Sequence, residues 1–318
     1  MNKPDFEQHA WTTKSLLETN FPDPVWIIDN IIPEGLTLLA APVKIGKSWL
    51  ALDIASTLAT GGLILGDTPV EPGKVLALFL EDTPRRLKNR LAKQGRTPSE
   101  HCHIFTSWAT GAEALEWVLL FLEKHMEVKL IIIDTLGRFA SFRDSNDYGE
   151  TTDFMAKIKR IADDFNIAIV MLHHVKKAFQ DDFTHQVLGS TGIVGAVDTI
   201  ITITRKRGEF DAILEITGRD VEEKKLAVKF DRSCCRWEIV GDASEVMDTR
   251  QRQEIIDLLK SSDKPLGPKE IADTLDRSAD NIKALLYKMF KDQQVSKEGY
   301  GKYRAVYTDY SVYSCDEK

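Results

Sequence analysis

The stretch LTLLAAPVKIGKSWLALDIA, residues 36–55, constrains the fold more than any other part of this 318-residue chain. A β-rich apolar run, a turn ending in Gly46, Lys47 and Ser48, and an amphipathic helical run follow one another without a spacer. That succession builds a phosphate loop. The strand aims the turn, its backbone N–H groups wrap an anion, and the helix N-terminus favours negative charge. Lys47 is expected to reach the β- and γ-phosphates and Ser48 to ligate Mg²⁺, with Ala41, Pro42, Val43, Lys44, Ile45, Gly46 and Trp49 completing the cradle. The motif G-x-x-x-x-G-K-[ST] has Ala41 in place of its first glycine. Alanine is acceptable there if the residue keeps negative φ, whereas Gly46 is the glycine that lets backbone approach phosphate. ATP and Mg²⁺ are the expected cofactors.

From about residue 33 to 240 short apolar runs alternate with helical patterns, the rhythm of βαβ units around a mostly parallel sheet. The runs are LTLLA (36–40), VLALFL (75–80), LIIID (130–134), AIVMLH (168–173), TIITIT (199–204) and AILEIT (212–217). KKLAVKFD and CRWEIV suggest an antiparallel hairpin at the sheet edge. In the helical run after the turn, Leu50, Ile54 and Leu58 follow helical spacing and Gly61 and Gly62 stop it. The fold class is therefore α/β.

Two acidic positions extend the site. Asp134 ends an apolar strand, where a Walker B carboxylate would hold magnesium through water; an ordinary buried strand with an acidic end reads the same way. Glu81 and Asp82 follow another strand, where a carboxylate could orient and deprotonate an attacking water. A solvated loop acid is the plainer alternative. Their order and spacing separate these readings: the strand-terminal Glu follows the phosphate loop by about 35 residues, and Asp134 follows about 50 later.

With APVKIGKSWLALDIA, LFLEDTPRRLKNRL, LIIIDTLGRF, IVMLHHVKK and ITGRD in this order, residues 24 to 240 resemble the RepA-type hexameric replicative helicases of plasmids and phages, AAA-group ATPases with a RecA-like core. The resemblance implies a RecA-like P-loop NTPase over residues 1–245, with an N-terminal extension at 1–30. It implies that Glu81 is the catalytic base and that Arg90 matches an arginine the family keeps. His173 or His174 would sense the γ-phosphate; a metal pair or capped core histidines are the alternatives. Arg219 would be an arginine finger reaching a neighbour's γ-phosphate, against the alternative of a surface salt bridge. A finger acting in trans implies a homo-oligomer, a hexameric ring. The loops at 137–153 and 176–198 would face its channel and single-stranded DNA, with Lys176, Lys177 and Phe179 opening the second.

Composition shifts at GDASEVMDTR (241–250), a polar stretch expected to be a linker or domain boundary. Beyond it RQEIIDLLK, GPKEIADTL and SADNIKALLYKMF suggest three helices, the last with Ser278 as N-cap and an apolar stripe of Ile282, Leu285, Leu286 and Met289. VSKEGYGKYRAVY suggests a hairpin. Residues 246–318 thus resemble a winged helix-turn-helix domain. It would present Arg277, Asn281 and Lys283 to a duplex major groove, with Lys297, Tyr300 and Lys302 near phosphates. Residues 264–306 carry nine Lys or Arg against six Asp or Glu, so docking of a replication partner protein stays open beside duplex binding.

The net charge of −7 leaves nucleic-acid contact to local patches. Four cysteines without C-x-x-C spacing suggest neither zinc nor disulfides, and no signal core or membrane-length run is visible. A cytoplasmic protein without membrane association is expected. Two functions fit: a DNA-translocating helicase motor, and a nucleotide-switched loader that binds DNA and recruits partners without unwinding. The first needs Glu81, Arg219 and a DNA-contacting loop in addition to Lys47, Ser48 and Asp134.

Overall fold

The computed structural model describes residues 10–21, 23–142, 148–175, 191–205 and 211–306. Helix α1 (Thr13–Glu18) and a two-stranded ribbon, β1 (Trp26–Ile28) with β2 (Ile32–Pro33), precede the strand of the phosphate loop, β3 (Gly35–Ala41). β3 is buried along its whole length. Its side chains alternate between two cores, with Leu36, Leu38 and Ala40 on one face and Leu39 and Ala41 on the other. Helix α2 (Lys47–Leu58) follows the turn, then a ribbon of β4 (Gly62–Ile64) and β5 (Thr68–Val70). Next come β6 (Lys74–Phe79), α3 (Pro84–Gln94), β7 (Cys102–Phe105), α4 (Gly111–Lys124) and β8 (Val128–Asp134). After them lie α5 (Leu136–Ala140), α6 (Tyr148–Phe165), β9 (Ala168–His174) and the short α7 (Thr191–Val194). Strands β10 (Thr199–Thr204), β11 (Asp211–Gly218), β12 (Lys224–Asp231) and β13 (Arg236–Asp242) end the sheet.

The main sheet has the order β13-β12-β11-β10-β3-β9-β8-β6-β7. From β10 to β7 neighbouring strands run parallel, while β11 is antiparallel to both β10 and β12. Helices α2 and α3 cover the face of Leu39 and Ala41; α4 to α7 cover the other. This is the expected α/β core around a mostly parallel sheet, in which β9 stands between the phosphate-loop strand and the Asp134 strand. The carboxyl ends of β3, β9, β8 and β6 therefore share one edge, where open α/β sheets bind ligands.

The chain divides into two compact units, residues 1–239 and 240–318. In the second, α8 (Ala243–Ser261), α9 (Pro268–Leu275) and α10 (Ala279–Lys291) precede a hairpin of β14 (Val295–Lys297) and β15 (Tyr303–Ala305). Ile282, Leu285, Leu286 and Met289 all enter its core, with Ile255, Leu259 and Ile271. The boundary between the units falls beside the polar stretch at 241–250, which is no open linker: Gly241 and Asp242 end β13 and helix begins at Ala243, where the Asp242 carboxylate accepts from the Ser244 and Glu245 amides at 2.8 and 3.3 Å. Ser278 is the N-cap of α10 but makes no side-chain capping bond. Among the described residues no helix is long and apolar enough to cross a membrane.

Candidate nucleotide site

Ala41 is the last residue of β3, buried in the sheet, and the positive φ values of the turn fall on Lys44 (+65°) and Gly46 (+117°). The substituted first glycine thus sits where no left-handed backbone is needed, and the second sits where it is. Gly46 is the N-cap of α2 without a capping side chain, so the first N–H groups of the helix stay open to an anion. Lys47 is 4% exposed. Its ammonium donates to the carbonyls of Ala41 and Pro42 at 2.5 and 3.2 Å and lies 3.0 Å from Nδ1 of His174. Burial lowers its pKa to about 8, against the opposing pull of Asp134 and Glu81.

Sheet register brings the acidic residues to the same mouth. Phe79 pairs with Asp134, and the Leu80 amide donates to the Asp134 carbonyl at 2.7 Å, which sets Glu81 beside the end of β8. Asp134 is 3% exposed and bonded to the Ser48 side chain. Burial holds its carboxyl above the usual range despite that bond, and Glu81 and Asp82 add to the rise. Glu81 accepts from the Thr135 hydroxyl at 3.0 Å, and its other oxygen stands 3.7 Å from Nε2 of His174. The neighbouring Asp82 is turned away and ion-paired with Arg86, at 2.8 Å, and Arg90, so the two acids differ in role. The Arg90 guanidinium also lies 5.1 Å from the centre of the Trp49 ring.

His173 and His174 pair in register with Ala40 and Ala41. Burial, the adjacent His174 and Lys47 all lower the His173 pKa. The metal-pair alternative finds no third ligand among the described residues. The donor set at this edge does fit a magnesium nucleotide: open helix amides and one lysine for phosphates, Ser48 and Asp134 for the cation.

A model of the AAA domain family matches residues 3–180, more than half of the chain. The chain belongs to the AAA domain family. It is accordingly a P-loop ATPase, and Lys47, Ser48, Glu81 and Asp134 lie within the matched AAA segment. Among solved structures the chain is similar to the RadB recombinase, at 18% identity over 66% of this chain and 92% of that one, with a TM-score of 0.48.

Arg219 stands apart from the candidate site. It follows β11, whose Gly218 pairs with Thr199; Thr199 in turn pairs with Thr37 near the start of β3. It therefore lies at the opposite edge of the sheet from the phosphate loop of its own chain, ~16 Å of strand away at ~3.3 Å per residue. There it is 63% exposed, 3.7 Å from the Asp198 carboxylate and 3.4 Å from the Gly195 carbonyl.

Lys176, Lys177 and Phe179 lie outside the described residues. The first expected channel loop, 137–153, is largely helical, shared between α5 and α6, with 143–147 outside the described residues. In the second unit Asn281 and Lys283 are exposed at the start of α10. Arg277 pairs with Glu254 at 3.2 Å and Lys302 with Glu270 at 3.9 Å, while Lys297 lies 4.6 Å from the centre of the Phe290 ring. Such exposed pairs contribute only ~0–1 kcal/mol and can be exchanged for phosphate. Tyr300 is fully exposed at the hairpin tip between Gly299 and Gly301.

Two residues in contact with the candidate site escape sequence reasoning. Thr135 holds Glu81 from another strand, although its place directly after the strand-terminal Asp134 was a usable signal. Trp237 donates its indole N–H to the Gly46 carbonyl at 3.3 Å, and nothing in CRWEIV points to that contact.

Proposed function

We propose that this protein is an ATP-hydrolysing, ring-forming motor acting on DNA, a replicative helicase of a plasmid, phage or mobile element. The observation that carries the reading is the separation of Arg219 from Lys47, Asp134 and Glu81 across the sheet. An arginine that stabilises γ-phosphate charge from that edge must serve another copy of the chain, so hydrolysis requires assembly. A hexameric ring follows from the resemblance to RepA-type helicases. Within one subunit, Lys47 and the open amides of α2 bind the phosphates, Ser48 and Asp134 hold Mg²⁺, and Glu81 takes a proton from water. His174 touches both Lys47 and Glu81 and is the γ-phosphate sensor. Lys176 and Lys177 would meet single-stranded DNA in the channel.

A second reading is a nucleotide-switched loader. The three helices and hairpin of the second unit favour it, since a winged helix using Arg277, Asn281, Lys283, Lys297 and Lys302 would hold duplex or dock a replication protein, and translocation needs neither. Strand displacement and ATP turnover, with and without single-stranded DNA, separate the two on wild type and Glu81→Gln. The motor requires DNA-stimulated turnover and unwinding, both lost in Glu81→Gln. Strong DNA stimulation without any unwinding would replace the motor with the loader.

A further inference from the structure

Three consecutive residues at the start of β13 fasten that strand to the phosphate loop and its helix. The Cys235 carbonyl accepts from Gln94 Nε2 at 3.2 Å, and the same amide donates to the Trp49 carbonyl at 3.0 Å. Arg236 lies 3.4 Å from the Asp53 carboxylate on α2, which also binds Arg96. Trp237 then donates to the Gly46 carbonyl. Its side chain is 1% exposed, with the Phe230 ring centre at 5.0 Å and the Arg205 guanidinium at 5.5 Å. A Cβ at Gly46 would stand 3.2 Å from the indole nitrogen and 3.3 Å from Cζ2 of the ring. The positive φ favours glycine here, and a Cβ would in addition crowd the ring.

The Gly46 carbonyl accepts the Leu50 amide as well, at 3.1 Å, so both its lone pairs are used. A peptide group is planar and trans, and fixing the C=O of Gly46 therefore fixes the N–H of Lys47 pointing the other way. That N–H is one of the first in α2, has no partner within the helix, and faces an arriving phosphate. Two donors on one carbonyl also polarise the shared amide and strengthen its N–H as a donor.

We propose that Trp237 is a positioning residue of the nucleotide site: through the Gly46 carbonyl it aims the Lys47 amide at phosphate, and Cys235 and Arg236 hold β13 in place for it. The inference rests on the ATP-binding reading of the loop. Trp237→Phe keeps a ring and removes the N–H. In the full chain its Kd for ADP, measured by calorimetry, is expected to rise about three- to tenfold, the effect of one lost hydrogen bond. Its kcat at saturating ATP should stay within about twofold, because Glu81 and Asp134 are untouched. Arg205→Ala loosens the outer face of the indole and leaves the bond, so it should raise Kd by less, in the same direction; it carries the test if Trp237→Phe does not fold. A ring that merely fills space gives the opposite split, with less active protein, a lower apparent kcat and unchanged Kd. That split, or an unchanged Kd in both variants, overturns the proposal. Wild-type protein that binds no ATP or ADP overturns instead the reading of the loop on which it rests.

Discussion

The Lys47 ammonium stands 3.0 Å from one ring nitrogen of His174, and the other ring nitrogen stands 3.7 Å from Glu81. One imidazole thus spans from the cation that meets phosphate to the carboxylate assigned to water activation. When a γ-phosphate draws Lys47 away, the hold of His174 on Glu81 changes with it. His174→Ala is expected to lower single-turnover hydrolysis at least ~10-fold while changing ATP affinity less than ~3-fold. Equal losses in both would reduce His174 to a support for Lys47.

Nucleotide affinity should fall on the alkaline side. The cationic form of Lys47 dominates below its pKa of about 8 and is lost as pH rises through it. Bound phosphate restores the proton, so Kd should be flat below that pH and rise towards ~10-fold per unit above it, with proton uptake on binding. Calorimetry in buffers of differing ionisation enthalpy, at about pH 7 and about pH 9, reads both quantities. An affinity that is level across that range would contradict a buried, phosphate-binding Lys47.

Glu81→Gln retains an acceptor for the Thr135 hydroxyl and loses the ability to take a proton. Hydrolysis should drop by ~10²–10⁴ with ATP still bound, as filter binding would record. Lost binding would mean that the Glu81 charge serves mainly to hold Lys47.

Arg219→Ala should cut turnover by ~10³ or more, as removal of an arginine finger does. Lys47→Ala should be inactive for a different reason, the loss of phosphate binding. Mixing the two recreates interfaces that pair an intact loop with an intact Arg219, and part of the activity should return. Mixed assemblies that stay silent would remove Arg219 from the catalytic set.

The carboxylate of Asp53 is 1% exposed between Arg96 and Arg236, which are 13% and 28% exposed. Asp53→Asn leaves two partly buried guanidinium groups short of a counter-charge. With allowance for their solvent access, a loss of ~2–4 kcal/mol is expected. Urea unfolding monitored by circular dichroism measures it, and a midpoint within error of wild type would mean that solvent already satisfies both arginines.

Elements buried on both faces were the most legible. β3, β6, β8 and β9 announce themselves as unbroken apolar runs because no side of them meets water. β7 does not, since CHIF is a short, half-buried edge strand whose apolar run is broken by a histidine. The start of α8 reads as a linker or boundary because it is a solvated helix: after Ala243 its next fully buried position is Ile255. In the candidate site, Gly46, Lys47, Ser48, Glu81 and Asp134 stand out in the sequence because each lies at or just after a strand end, and the fold brings those strand ends to one edge. Thr135 against Glu81 and Trp237 against Gly46 join residues far apart in the chain: the pairing of β6 with β8 brings the first two together, whereas the second pair meets only because α2 and β13, four strands from β3, pack into one core. An apolar residue in a strand carries no mark of the carbonyl it will bind.

The AAA match stops at residue 180, whereas β10, the neighbour of β3, and Trp237 on β13 lie beyond it. A fragment trimmed to the matched boundaries would keep every residue of the phosphate-binding motif. It would nevertheless turn the most buried strand of the sheet into an open edge, ready to pair with other chains, and leave Gly46 without its indole. A minimal ATPase expressed from this gene must therefore run past Asp242, whatever the second unit is for.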